Sequence, residues 1–91
     1  MNSFGYSDFH HSDLIPTIVK SVGCETYLEL GLYVGETFSK VFPLVKRAIG
    51  VDTKDVRTIK HGEFYQCTTN DFFNNFKDMV DIIFIDADHK F

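Results

Sequence analysis

The chain has 91 residues, a formal net charge of −4 at pH 7 and an apolar fraction of 44%. That length suffices for one small domain, and the apolar content is well above that of disordered chains. The nine basic residues are scattered, whereas a surface that binds nucleic acid needs a basic face. We therefore expect one domain over residues 1–91 whose partners are small molecules and not nucleic acid.

Cysteine usage and apolar runs bear on where the protein works. Cys24 and Cys67 lie far apart and form no C-x-x-C pair, which favours free thiols in a reducing compartment over a disulfide. The segment Met1–His11 is polar and has no apolar stretch like that of a signal peptide. The longest apolar run, Ile82–Ile85, is far too short to cross a bilayer. We expect a cytoplasmic protein that does not contact membranes.

The periodicity of apolar residues predicts alternating helices and strands. Helical spacing runs from Leu14 to Val22, where Ser12 or Asp13 can cap the start and Gly23 can end the helix. The four predicted strands are Thr26–Leu30, Arg47–Val51, Glu63–Thr68 and Val80–Ile85. The later predicted helices are Phe38–Val45, a weaker one over Asp55–Lys60, and a short one capped by Asn70 or Asp71 that runs to Phe76. This alternation predicts an α/β fold, a partial doubly wound Rossmann-like parallel sheet with about four strands in the order 3-2-1-4 and flanking helices.

The residues that follow the predicted strands are the candidates for a binding site. In open parallel sheets, ligands bind beyond the carboxyl ends of the strands, where the strand order reverses. Glu29, Asp52 and Asp86 place a carboxylate at or next to three of the four ends, and the remaining end carries Thr68–Asp71. Such ends suit a ligand rich in hydroxyls and positive charge better than one rich in phosphate.

The turn Leu28–Gly35 is the most informative stretch of the sequence. Glycines at positions 31 and 35 allow a tight turn and a close approach of the backbone to a ligand. A dinucleotide fingerprint requires glycine at its third and sixth places, where this chain has Tyr33 and Glu36. A nicotinamide or flavin site is therefore weakly supported, and a plain strand-to-helix turn is the structural alternative. Asp52 follows Gly31 by about twenty residues, the separation at which a carboxylate accepts the hydroxyls of a ribose.

Two motifs carry a resemblance to a known family. The turn Leu28–Gly35 resembles the first motif of the catechol and caffeoyl-CoA type O-methyltransferases, which also has an aromatic residue at its middle. The segment Phe84–His89 resembles the fourth-strand motif of the same group and of related sugar and antibiotic O-methyltransferases. The chain is thus similar to a class I, Rossmann-like S-adenosylmethionine-dependent methyltransferase, over about Leu14 to Phe91 and over the N-terminal, cofactor-binding half of that fold.

The resemblance implies roles for particular residues. The amino-acid end of S-adenosylmethionine would be framed by Glu29, Gly31, Tyr33 and Gly35, and its ribose would be held by Asp52. The adenine would be bordered by Thr68, Thr69 and Asp71, with Thr68 standing where the family often has an acidic residue. Asp86 matches the first metal-binding carboxylate, for Mg²⁺ or another divalent cation, and His89 matches the general base. The implied reaction is O-methyl transfer to a small hydroxylated substrate.

The same resemblance implies that much of the fold lies beyond this sequence. The family continues for roughly another hundred residues that supply further metal ligands, so we expect a truncated chain that is inactive alone. An exposed apolar edge over Val80–Ile85 would favour a homo-oligomer or a complementary chain that covers it. The alternatives are a non-catalytic module that binds S-adenosylmethionine or S-adenosylhomocysteine, a nicotinamide- or flavin-binding protein, and an interaction domain without a ligand.

Overall fold

The order of the elements is set by short apolar strands that alternate with helices. The computed structural model describes residues 11–32, 35–56 and 62–85. The helices are α1 (His11–Val22), α2 (Glu36–Val41) and α3 (Thr69–Asn75), and a 3₁₀ turn spans Phe42–Leu44. The strands are β1 (Thr26–Leu30), β2 (Arg47–Asp52), β3 (Glu63–Gln66) and β4 (Ile82–Ile85).

All four described strands form one parallel sheet in the order β3-β2-β1-β4. The predicted fold class and strand order are therefore confirmed. β1 lies between β2 and β4, and the direction of strand succession reverses between β1 and β4. In a sheet of this kind, that reversal is where a crevice forms outside the carboxyl ends.

The two faces of the sheet are covered differently. On one face, α1 and α2 pack over a core that includes Tyr27, Phe38, Val41 and Ala48. On the other, which we call the α3 face, the buried residues are Leu28, Leu30, Ile49, Val51 and Phe72. Alternation of side chains along each strand assigns neighbouring residues to opposite faces. Helices therefore bury the two central strands, β1 and β2, on both faces.

Local chemistry sets where the first two helices end. Gly23 has φ of 67°, and the N–H groups of Gly23 and Cys24 donate to the carbonyls of Lys20 and Val19. These two bonds form the glycine-terminated C-cap that the sequence predicts. The start differs, because α1 begins at His11 and already contains Ser12 and Asp13.

The second helix is shorter than its apolar period predicts. α2 ends at Val41, and Pro43 lies inside the 3₁₀ turn that follows. Proline has no N–H to donate to the Ser39 carbonyl four residues earlier, so the α-helical hydrogen bonds cannot continue through it. The apolar period that continues to Val45 therefore outlasts the helix.

β3 and β4 fall slightly inside their predicted bounds, whereas β2 runs one residue further than predicted, to Asp52. β3 ends at Gln66 because Thr68 turns away to cap α3, so the cap is neither Asn70 nor Asp71. β4 begins at Ile82, two residues later than predicted, although the Asp81 N–H already donates to the Thr26 carbonyl at 2.9 Å. The weak helix over residues 55–60 is absent at 55 and 56, and positions 57–60 lie outside the described residues.

An ion-pair network joins the amino ends of the sheet. Arg47 Nε and Nη2 donate to the two carboxylate oxygens of Glu63 at 2.6 and 3.0 Å, and Nη1 donates to Asp78 at 2.8 Å. These bonds raise the pKa of Arg47, and the hydrogen bond from Arg47 lowers the pKa of Glu63. The network ties β2, β3 and the segment before β4 together at the end opposite to the candidate site.

Candidate functional site

Two glycines with positive φ shape the turn at the carboxyl end of β1. Gly31 has φ of 87° and Gly35 has φ of 84°, a backbone region that side chains with a Cβ rarely adopt. The Gly31 N–H donates to the Val51 carbonyl at 2.8 Å, which continues the pairing of β1 with β2 past the strand end. The Gly35 N–H donates to the Leu32 carbonyl at 2.8 Å and closes the described part of the turn.

Asp52, the predicted ribose ligand, lies beside this turn. Its Oδ2 accepts from the Leu32 N–H at 2.8 Å, and its Oδ1 accepts from the Lys54 N–H at 2.9 Å. Because these bonds reach one backbone segment on each side, the carboxylate is fixed at the carboxyl edge of the sheet. The structure thus brings Gly31 and Asp52 together, as the sequence predicts.

The position of the turn also depends on a missing side chain in β2. A Cβ placed on Gly50 would lie 2.8 Å from Cδ1 and 2.9 Å from Cδ2 of Leu32. Leu32 is buried in the core under α2, and glycine at position 50 makes the room that it occupies. The sequence analysis gave Gly50 no role, and only the pairing of β1 with β2 reveals it.

Glu29 is in the interior of the protein. Its side chain has no exposed area, and its Oε1 accepts from the Tyr27 hydroxyl at 2.6 Å. Both residues point to the face covered by α1 and α2. A buried carboxyl group needs hydrogen bonds to compensate for its loss of contact with water, and the Tyr27 hydroxyl donates one of them. The carboxylate thus lies in the core and is not presented to solvent.

The residues predicted to border an adenine begin α3. Thr68 Oγ1 accepts from the Asp71 N–H at 3.1 Å, which makes Thr68 the N-cap. Thr69 and Asp71 are exposed in the first turn. The Cys67 N–H donates to the Asp52 carbonyl at 3.0 Å, so this helix start follows directly from the strand pair that holds Asp52.

The remaining predicted residues cannot be placed. Tyr33, Asp86 and His89 lie outside the described residues. Within the ranges that the structure describes, no group of three or more His, Cys, Asp or Glu side chains is arranged to hold a metal ion. Nor does any helix in those ranges have both the length and the apolar character to cross a membrane.

A cavity that the sequence analysis missed lies on the α3 face. Its volume is about 310 Å³, and it is lined by Tyr65, Cys67, Asp71, Phe72, Asn75 and Phe76. Phe72 and Phe76 are one helical turn apart, a spacing that indicates an aromatic stripe on α3 but not a cavity.

Cys67 and the buried Cys24 are both free thiols, as expected. Burial, followed by the charges of Asp81 and Glu25, raises the pKa of Cys24.

The structure defines the chain as an α/β domain with a parallel sheet, a class of fold that serves many functions. No protein-family model matches the chain, and no curated protein matches it in sequence. A function is therefore inferred from the site itself.

Proposed function

We propose that the chain binds S-adenosylmethionine or S-adenosylhomocysteine at the carboxyl ends of β1 and β2. The observation that carries the proposal is the hydrogen bond of 2.8 Å from the Leu32 N–H to Asp52 Oδ2. It joins the glycine turn, which follows β1 next to the reversal of strand order between β1 and β4, to a carboxylate at the end of the neighbouring strand β2. Ligands of doubly wound sheets bind at that place, and an acidic residue there accepts ribose hydroxyls.

The charge and shape of the site favour this ligand over a dinucleotide. The Asp52 carboxylate lies at the turn, and Glu36 begins the helix that follows it. Negative charge there opposes a pyrophosphate but suits a sulfonium and an ammonium group. Gly31, with φ of 87°, exposes backbone without a side chain where the amino-acid end of the cofactor would lie.

The proposed chemistry is methyl transfer to the oxygen of a small hydroxylated substrate. The bound cofactor would supply the methyl group. His89 would take the proton of the hydroxyl. Asp86 would supply a carboxylate ligand to a divalent cation, which would lower the pKa of that hydroxyl. A hard cation takes about six oxygen ligands, so Asp86 requires further ligands besides its own carboxylate. These roles are carried over from the sequence motif over Phe84–His89.

The outer edge of the sheet supports a proposal about assembly. β4 pairs with β1 on one side, and Ile83 and Ile85 on the α3 face are 47% and 63% exposed. An apolar edge of this kind favours pairing with another chain. We propose a cytoplasmic homo-oligomer, or a complementary chain, that covers Val80–Ile85. Light scattering would show a mass above that of the monomer, and a monodisperse monomer at high concentration would contradict the proposal.

Calorimetric titration tests the binding proposal. The 91-residue chain is titrated with S-adenosylhomocysteine, S-adenosylmethionine and NAD⁺ in parallel. We expect both sulfur-containing ligands to bind and NAD⁺ not to bind. The variant Asp52→Ala should weaken binding about tenfold or more, because losing one partner of a hydroxyl pair costs about 1–3 kcal/mol.

A carboxylate at the opposite end of the sheet supplies the matched control. Glu25 is exposed just before β1, at the amino end of the sheet, so Glu25→Ala removes the same charge far from the glycine turn. It should leave the affinity unchanged. Equal affinity in Asp52→Ala and the parent chain would refute the ribose assignment. We expect no methyl transfer by the chain alone; transfer to a catechol in the presence of Mg²⁺, abolished in Asp86→Ala, would overturn the expectation that the chain is inactive alone.

A further inference from the structure

We propose that the cavity between β3 and α3 is a second binding site, and that it takes a small aromatic cation, a planar ring that carries an ammonium group. Its volume of about 310 Å³ lies at the lower end of the range for small-molecule pockets. The site goes beyond the proposed cofactor function and does not depend on it.

The walls of the cavity provide the aromatic surface. The ring centroids of Tyr65 and Phe72 are 5.4 Å apart, and Phe72 and Phe76 stack at 4.7 Å with 23° between their planes. Such rings attract a planar ligand by stacking and a cation by its interaction with the ring face. One of these rings already receives a cation, since the Arg47 guanidinium lies 5.8 Å from the Phe76 centroid.

The polar groups around the cavity favour a ligand that donates hydrogen bonds. Asp71 and Asn75 lie one turn apart on α3 and both line the cavity. The Asn75 amide nitrogen donates to the Asp71 carbonyl at 3.4 Å, so its amide oxygen is the group that can accept from a ligand. The carboxylate of Asp71 adds negative charge.

The positive charge of Arg47, which lies over the Phe76 ring, does not oppose a cationic ligand. Arg47 donates to Glu63 at 2.6 and 3.0 Å and to Asp78 at 2.8 Å. Two carboxylates therefore balance one guanidinium beside the cavity. Charge complementarity thus selects a cation over an anion or a neutral aromatic compound.

The test uses tryptamine as the probe and 3-ethylindole as its uncharged counterpart, titrated into the full chain and followed by NMR shifts and calorimetry. Tryptamine should bind more tightly than 3-ethylindole and should shift the signals of Tyr65, Cys67 and Asn75. Asp71→Asn should weaken tryptamine binding about three- to fivefold, the size of one exposed charge pair, and leave 3-ethylindole unchanged.

Two further variants locate the site. Asp13→Asn removes the same charge from α1, on the opposite face of the sheet, and should change neither affinity. Asn75→Phe replaces an exposed residue of α3 with a ring that fills the cavity, and it should abolish binding of both probes while the far-ultraviolet circular dichroism is retained. The proposal would be overturned if Asp13→Asn changed the affinity for tryptamine or if Asn75→Phe still bound the probes. It would also be overturned if the parent chain bound no tryptamine at millimolar concentration.

Competition separates this site from the cofactor site, since Asp71 was also predicted to border the adenine. We expect saturating S-adenosylhomocysteine to leave tryptamine binding unchanged. Displacement of tryptamine by that ligand would mean that the cavity belongs to the cofactor site, and the second site would be refuted. Failure of S-adenosylhomocysteine to bind would refute the proposed function and leave this one standing.

Discussion

Asp52 Oδ2 accepts a hydrogen bond of 2.8 Å from the backbone N–H of Leu32, twenty positions earlier in the chain. The same carboxylate accepts from the Lys54 N–H at 2.9 Å. One side chain thus fixes the turn after β1 to the turn after β2. The geometry of the candidate site is therefore built into the fold before any ligand arrives, which reduces the ordering that binding would require.

We expect Asp52→Asn to lower the free energy of unfolding by about 1–2 kcal/mol. The amide keeps one carbonyl oxygen and gains an NH₂ group, so one of the two backbone N–H groups loses its acceptor. Urea unfolding followed by circular dichroism measures the change. Glu25→Gln, at the amino end of the sheet, should stay within about 0.5 kcal/mol of the parent chain, because its ion pair with Lys46 is exposed. Equal stability of the parent and Asp52→Asn would show that the carboxylate does not hold the turn.

We expect Gly50→Ala to destabilise the protein by about 1–3 kcal/mol through overpacking against Leu32. The added Cβ would lie 2.8 Å from Leu32 Cδ1, so the leucine side chain would have to move. Leu32→Val removes both Cδ atoms, and in that background the cost of Gly50→Ala should fall to below about 0.5 kcal/mol. Chemical denaturation of the four members of this double-mutant cycle measures the coupling. If the free-energy costs of Gly50→Ala and Leu32→Val were additive, the side chains at positions 50 and 32 would not be in contact.

We expect Thr68→Ala to cost about 1 kcal/mol, because the Asp71 N–H loses its capping acceptor. Thr68→Ser keeps the hydroxyl and should be close to neutral. Thermal unfolding of the two variants measures the difference. If Thr68 also borders the cofactor, its alanine variant should weaken binding of S-adenosylhomocysteine as well. Unchanged affinity in that variant would confine Thr68 to the helix cap.

We expect Asp81 to contribute stability that depends on pH. Its Oδ2 accepts from the N–H groups of Glu25 and Thr26, both at 2.9 Å, and these bonds lower its pKa. The contribution is fully present above the unfolded-state pKa of about 3.9 and is lost as the pH falls through the lower folded value. The difference in stability between the parent chain and Asp81→Asn should therefore be largest near neutral pH and should narrow below about pH 4. Urea midpoints across that range measure it, and a constant difference would contradict the assignment.

The sequence by itself determined the class of fold. β1 has the bounds that its apolar residues predict, and Gly23 ends α1 with φ of 67°. The alternation of elements and right-handed crossovers leave few possible strand orders, and the sheet confirms the predicted order 3-2-1-4. These features are predictable because burial and local backbone preference act within a few consecutive residues.

The tertiary structure decided which of the predicted site residues meet. Gly31 and Asp52 come together through the pairing of β1 with β2, whereas the cap of α3 falls on Thr68 because β3 ends early. The partners of Arg47 are 16 and 31 positions away in the chain, and the aromatic cavity combines β3 with α3. Periodicity reports which face a side chain occupies but not which distant residue packs against it. Those contacts are fixed only when the strands pair in register and the helices settle on the sheet.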